Sequence, residues 1–130
     1  MEANVAWTGD QSTQVQSADE MRQLLGRLQS EARAAGERPF MAEVTLDAIG
    51  SLALGIGLDV SILVYTGWEG APPYLISRGR PGATNNIVFY YMGEWSEYPG
   101  TAEVAFDVAL DAICEFVDTG AVPTWIDWDG

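Results

Sequence analysis

The spacing of apolar residues divides the chain into extended and helical segments. Residues 3 to 8 are predicted to form a short first strand, and the polar residues 10 to 16 a connection. Ser17 and Glu20 then form an S-x-x-E capping box, which is a signature of a helix start. Apolar residues follow at helical spacing and end before a glycine, so a helix is predicted over about residues 18 to 35.

From residue 40 onwards the pattern changes to short apolar runs separated by turn residues. These runs are rich in β-branched and aromatic side chains, which favour strands. They cover residues 40 to 46, 51 to 57, 60 to 66, 73 to 77 and 86 to 92. The connections between them are too short for crossover helices, so neighbouring strands are expected to run antiparallel as a meander.

A second helix is predicted over about residues 102 to 118, and residues 123 to 130 can add a last short strand. Most of the circumference of this helix is apolar, so it is expected to lie against the sheet. The fold class predicted is α+β: a mainly antiparallel sheet of about five to seven strands with two helices packed on one face. A length of 130 residues, 48% of them apolar, predicts a single domain over residues 1–130.

The composition points to a cytoplasmic protein that does not enter a membrane. The sequence has no run of about 18 apolar residues, and its start lacks the basic and apolar regions of a secretory signal. Its single cysteine, Cys114, lies among apolar neighbours and is expected to be a buried thiol. With no histidine in the chain to act as a base, a nucleophilic role for Cys114 is not favoured.

Negative charge dominates the surface chemistry. The chain has 19 acids and 6 basic residues, all of them arginines, for a net charge of -13. The imbalance is uneven, because residues 81 to 130 contain acids but no basic residue at all. Such a field repels nucleic acid and anionic membranes and favours a cationic partner. The alternative is that the acidity serves solubility alone.

Most catalytic and cofactor sites are excluded by the absence of histidine and lysine. Without them the chain cannot form a histidine-based triad, a P-loop or a Schiff base, and no cofactor is expected. Glu94 and Glu97 could form the carboxylate pair of a small hydrolase. Asp127 and Asp129 form a D-x-D pattern that is a weak signal for a metal site. Both signals are unspecific, and neither a catalytic nor a metal site is predicted.

Four acids recur every fourth residue along the second predicted helix: Glu103, Asp107, Asp111 and Glu115. Like charges at this spacing destabilise an isolated helix by about 0.2–0.5 kcal/mol per pair, and no neighbouring base compensates them. The simple interpretation is a solvated stripe opposite the core. A basic partner near the stripe is the alternative.

The aromatic residues in turns are the positive signal for a binding surface. Trp68 lies beside Glu69 in a turn where a ring is difficult to bury, so it is expected to be exposed. Trp95 lies in a predicted break between elements and is expected to pack beneath the second helix. The remaining tryptophans are expected to pack in the core or at its edge: Trp7, Trp125 and Trp128.

Two segments near the end of the chain resemble the first-described family of immunity proteins from bacterial polymorphic toxin systems. The first is "GEWSEYP", residues 93 to 99, followed by an acidic and apolar helix. The second is "EFVDTGAVPTWIDW", residues 115 to 128, with the pattern E-F-x-x-T-G-x-x-P. Upstream segments are also similar to the family, so the resemblance covers nearly the whole chain.

This resemblance implies a protein that is not an enzyme. Members of the family are encoded beside a toxin and neutralise it by binding, and the toxin is often a nucleic-acid deaminase of the cytidine-deaminase type. The expected partner is therefore a basic toxin domain that acts on nucleic acid. The family carries no catalytic residues across to this chain. The toxin-binding residues predicted from the sequence itself are Trp68, Glu69, Glu94, Glu97, Asp127 and Asp129. A small hydrolase and a generic interaction module are the alternatives.

Overall fold

A computed structural model of the chain describes residues 2–8 and 10–130. It has two α-helices, α1 (Ala18–Ala35) and α2 (Phe106–Thr119). The strands, in chain order, are β1 (Ala3–Thr8), β2 (Gln11–Val15), β3 (Phe40–Leu46), β4 (Gly50–Ile56), β5 (Val60–Ser61), β6 (Leu63–Gly67), β7 (Tyr74–Ser77), β8 (Asn86–Tyr91), β9 (Glu94–Pro99), β10 (Val104–Ala105) and β11 (Trp128–Asp129). Short 3-10 turns cover Trp68–Gly70 and Gly100–Ala102.

The strands form one large sheet and one small one. The main order is β11-β7-β6-β4-β3-β1-β2, with antiparallel neighbours throughout. The hairpin β8–β9 branches from it, joined to β3 by a parallel bridge between Phe40 and Tyr90. β5 and β10 pair separately. The predicted α+β class is confirmed, and β3, β4, β6 and β7 form the predicted meander. Residues 86 to 92 do not continue it, because β8 pairs with β9 and bridges β3 in parallel.

Both helices pack on the same face of the sheet. Alternate positions of the central strands supply the sheet side of this core, among them Val44, Leu54 and Leu63. Helix α1 has the predicted bounds because its ends are capped as the sequence indicated. The Ser17 side chain accepts a hydrogen bond from the Glu20 backbone N–H at 3.2 Å, and Gly36 adopts a left-handed conformation with a φ of 64°.

A second, smaller core lies on the opposite face, where the β8–β9 hairpin folds over the sheet. Met41 and Ala53 face the fully buried Phe89 and its neighbours there. The Phe89 ring lies directly above Gly55, where a Cβ atom would collide with it. The glycine in β4 is therefore required for this ring to reach the sheet.

Three segment predictions are corrected by the structure. Residues 10 to 16, predicted as a connection, contain strand β2, and the break predicted around Trp95 is strand β9. The second helix begins at Phe106 and not near residue 102, because Val104 and Ala105 pair with β5. The last short strand is confirmed as β11.

Two of the tryptophan predictions are wrong. Trp95 is 60% exposed because it lies on the outer side of the hairpin, on strand β9. Its ring and that of Tyr90 are nearly perpendicular, at a centroid distance of 5.8 Å. Trp125 is 50% exposed in the loop after α2, where its indole N–H donates to the Glu115 carboxylate at 3.0 Å. Trp68 is exposed as predicted, and the two others pack partly buried against the helix-side core: Trp7 and Trp128.

Cys114 is buried, as predicted, at the contact between the helices. Burial raises the pKa of its thiol, which disfavours the reactive thiolate. Among residues 2–8 and 10–130, no helix is long and apolar enough to cross a membrane. The same residues contain no group of three acidic or cysteine side chains placed to hold a metal ion.

Candidate binding surface

The sheet face opposite the helices is covered by the hairpin at one end only. Strand register places a row of uncharged polar side chains across six strands of this face: Gln14, Asn4, Thr45, Ser51, Thr66 and Tyr74. A second row crosses seven strands: Ser12, Ala6, Glu43, Ala53, Val64, Ile76 and Asp129. Side chains paired in register point to the same side of a sheet. The hairpin covers the middle of the second row, where Ala53 is 2% exposed, so we call the first row and the uncovered ends of the second the open face.

Trp68 lies at one margin of the open face. It belongs to the 3-10 turn after β6, is 36% exposed, and lines a groove with Asn4, Thr45 and Asp47. Glu69, the next residue, has a φ of 58°, a left-handed conformation that non-glycine residues adopt infrequently. The turn therefore places an indole ring and a carboxylate beside the polar row.

Tyr74 was not among the site residues predicted from the sequence, although it is 59% exposed on the open face. Its hydroxyl donates to the Gly70 carbonyl at 2.7 Å, which links it to the turn that carries Trp68. With Val64, Ile76 and Asp129, it lines a shallow groove of about 440 Å³ at the β11 edge of the sheet. One predicted acid, Asp129, therefore lies in a groove that also presents a large exposed ring.

Glu43 connects the open face to the hairpin. It lies in the second row, between Ala6 and Ala53, and its carboxylate accepts a hydrogen bond from the Tyr91 hydroxyl. Burial first, and then this bond to Glu43, raise the pKa of Tyr91 above its ordinary value. The hairpin is therefore attached to the sheet by a polar bond as well as by the Phe89 ring.

The Tyr91 bond predicts how stability changes at alkaline pH. Folding raises the pKa of Tyr91, so its protonated hydroxyl contributes to the free energy of unfolding. This contribution is complete below about pH 10, the ordinary tyrosine pKa, and declines as the pH rises further. Tyr91→Phe should reduce this decline by up to about 1.4 kcal/mol per pH unit. Urea unfolding between about pH 9 and pH 11.5 measures it, and an unchanged slope in the variant would contradict the assignment. The chain has no lysine to titrate in this range.

Glu94 and Glu97 do not form a pair. They are three residues apart on β9, and side chains alternate along a strand, so they lie on opposite sides of the hairpin. Glu94 is opposite Tyr91 and shares its side, which faces the sheet. Glu97 lies on the outer side and accepts hydrogen bonds from Trp95 at 3.1 Å and Asn86 at 3.0 Å. This arrangement does not supply the two facing carboxylates of a glycosidase-type site.

The six predicted site residues are thus only partly brought together. Trp68, Glu69 and Asp129 lie around the open face, and Glu94 lies on the side of the hairpin directed toward the sheet. Glu97 is on the outside of the hairpin. The Asp127 side chain is exposed, while its backbone carbonyl accepts a hydrogen bond from the Arg78 N–H at 2.8 Å.

Two of the four acids predicted to form a stripe on the second helix have an arginine partner. Asp111 forms an ion pair with Arg22 of α1 at 2.9 Å, which raises the pKa of that arginine through the hydrogen bond. Glu103, which lies before the helix, pairs with Arg80 at 3.2 Å. Glu115 accepts the Trp125 bond described above. No neighbouring base compensates these acids, and the two arginines that pair with Asp111 and Glu103 come from distant parts of the chain.

The arginines leave the open face uncompensated. Among the described residues, the ion pairs formed by Arg22, Arg27 and Arg33 all involve helix α1, and a fourth joins Arg80 to Glu103. No arginine lines either of the two grooves on the open face. The acids that lie in or beside these grooves have no ion-pair partner within residues 2–8 and 10–130: Glu2, Asp47, Glu69 and Asp129.

Comparison with known families agrees with the resemblance noted in the sequence. A family model described as Immunity protein Imm1 matches residues 9–129. The match includes both helices and the strands β2 to β11 that form most of the open face. No curated protein matches the chain.

Proposed function

The chain belongs to the Imm1 family of immunity proteins, and from this premise we propose that it binds and neutralises one cognate bacterial toxin without catalysing a reaction. The observation that carries the proposal is the open face, where acids without arginine partners lie beside exposed aromatic rings. Rings of this kind are common anchors in protein interfaces, and uncompensated acids attract a cationic partner.

We further propose that the toxin acts on nucleic acid, as a deaminase of the cytidine-deaminase type. An enzyme that binds single-stranded nucleic acid presents a cationic groove to the phosphates. A protein with a net charge of -13 is attracted to such a groove and can exclude the substrate from it. Nucleic acid and anionic membranes would be repelled by the same charge, so neither is a direct partner. The site of action would be the cytoplasm, where the toxin meets its substrate.

The proposed contacts are those predicted from the sequence. Trp68 would fill a pocket on the toxin, and Glu69, Glu94 and Asp129 would contact arginines and lysines around it. Glu97 and Asp127 would act at the periphery. Exposed acids of this kind mainly set the association rate, whereas a buried aromatic anchor mainly sets the dissociation rate.

Two rival functions make different predictions. A small hydrolase would need Glu94 and Glu97 to converge in a cleft, and their positions on opposite sides of β9 weigh against that. A generic interaction module would bind its partner without suppressing any toxic activity. The distinction therefore depends on a toxin assay and not on a binding assay alone.

The proposal is tested by expressing the toxin domain, taken from the gene adjacent to this one, with and without the chain in bacteria. We expect cells that express the toxin domain to survive only when the chain is expressed with it. With purified proteins, deamination of single-stranded DNA should stop near one equivalent of the chain. Equal killing with and without the chain, or turnover of a substrate by the chain alone, would refute the proposed function.

A further inference from the structure

Acids without an arginine partner and exposed aromatic rings lie together around the two grooves of the open face, and this combination suggests where the partner docks. We propose that a cationic segment of the toxin docks on the open face, between the Trp68 turn and the β8–β9 hairpin, and not on the helices or on the outer side of the hairpin. This inference rests on the proposed function, because it requires that a toxin is bound.

Charge complementarity fits this face. On the helical side, Asp111 and Asp59 are paired with arginines from α1, and the exposed acids Asp107 and Asp118 line neither of the two grooves. On the open face, Asp47 and Asp129 lie in grooves that no arginine lines. Guanidinium and ammonium groups of a partner would there meet carboxylates without first displacing an internal ion pair.

Two aromatic rings provide anchors on the same face. Trp68 and Tyr74 are both exposed, and the hydrogen bond from the Tyr74 hydroxyl to Gly70 holds Tyr74 to the turn that carries Trp68. A ring held in place loses little conformational freedom when it is covered by a partner, and tyrosine and tryptophan are frequent hot spots. The floor beside them consists of uncharged side chains such as Thr45 and Thr66, which cost little to cover.

The dimensions of the face fit a stable interface. The first row crosses six strands, and strands lie about 4.8 Å apart, so the row is about 24 Å long. A typical interface covers about 800 Å² on each partner, so the row spans most of the width of such a patch. Neither groove on the face is a closed cavity, which suits a protein segment better than a small molecule.

Four exposed aromatic residues mark three different surfaces, so substitutions at each surface can be compared in one experiment. Trp68 and Tyr74 mark the open face, Trp95 the outer side of the hairpin, and Trp125 the loop after α2. The double variant Trp68→Ala/Tyr74→Ala should weaken toxin binding by at least about 30-fold. Trp95→Ala and Trp125→Ala should each change it less than about 3-fold. Calorimetric titration of the toxin domain measures all three.

A second pair of variants keeps every aromatic ring, so its result does not depend on the loss of a packed side chain. Thr66→Arg adds a bulky cation to the centre of the polar row and should weaken binding by at least about 10-fold. Ser30→Arg adds the same group to the exposed side of α1 and should leave binding unchanged. Circular dichroism and thermal melting of each variant confirm that the fold is retained.

The possible outcomes separate this inference from the proposed function. If the wild-type chain neither binds nor protects against the toxin, the proposed function fails. If the wild-type chain binds but only Trp95→Ala or Trp125→Ala weakens the complex, the function stands and the docking site is overturned. If the chain alone is a dimer that Thr66→Arg converts to a monomer, the open face is a contact between two copies, and the inference is again overturned.

Discussion

Phe89→Ala should lower the free energy of unfolding by about 3–5 kcal/mol, the largest stability effect we expect from a single substitution in this chain. Phe89 is fully buried, and it is the main apolar contact between the hairpin and the sheet. Removing its ring leaves a cavity above Gly55 that the hairpin can fill only by moving. Urea unfolding monitored by tryptophan fluorescence and circular dichroism measures the loss.

Two control variants test the reason for this loss. Gly55→Ala inserts a methyl group into the Phe89 ring and should cost about 1–3 kcal/mol by overpacking. Val88→Ala removes a half-buried side chain from the outer side of the hairpin and should cost less than Phe89→Ala. A loss below about 1 kcal/mol for Phe89→Ala would show that the hairpin is not held on the sheet by this ring.

The helices and central strands were predictable because local signals determine them. The capping box at Ser17 and the glycine at position 36 lie directly at the ends of α1, so its bounds could be read from neighbouring residues. The strand β4 is buried on both faces along most of its length, which makes its apolar run continuous, whereas β3 alternates buried apolar and half-exposed polar residues from Ala42 to Leu46. Such patterns depend little on the rest of the chain.

The strands β2 and β9 were missed because they lack an apolar pattern. β2 is an edge strand whose residues are exposed except Val15, and its pairing with β1 is what makes it a strand. In the hairpin, β8 covers the sheet more fully than β9 does, so the side chains of β9 remain partly or fully exposed. Pairing with distant residues, and not local preference, determines both strands.

The candidate surface was predictable in part for a similar reason. Trp68 could be placed on the surface from its turn alone, because a short loop offers no core in which to bury an indole ring. Tyr74 becomes part of the surface only through its register with Thr66. The compensation of Asp111 by Arg22 joins residues 89 positions apart, which no local pattern could indicate.

Neutralising three acids beside the open face should slow association with the toxin by about 10-fold at low salt, the largest kinetic effect we expect. The variant Asp47→Asn/Glu69→Gln/Asp129→Asn removes charges that no arginine compensates. Long-range attraction of this kind depends on the summed field and is screened by ions. At about 1 M salt the screening length falls to about 3 Å, so the wild-type chain and the variant should then associate at similar rates.

The control removes two charges from the helical side. Asp107→Asn/Asp118→Asn changes two exposed acids of α2 that lie away from both grooves of the open face. It should slow association less per charge removed, because the docking field depends most on charges nearest to the contact. Stopped-flow measurements across a salt series give the rates of all three proteins. Equal slowing per charge in both variants would mean that the toxin responds to net charge alone, and that the position of the acids on the open face does not steer the encounter.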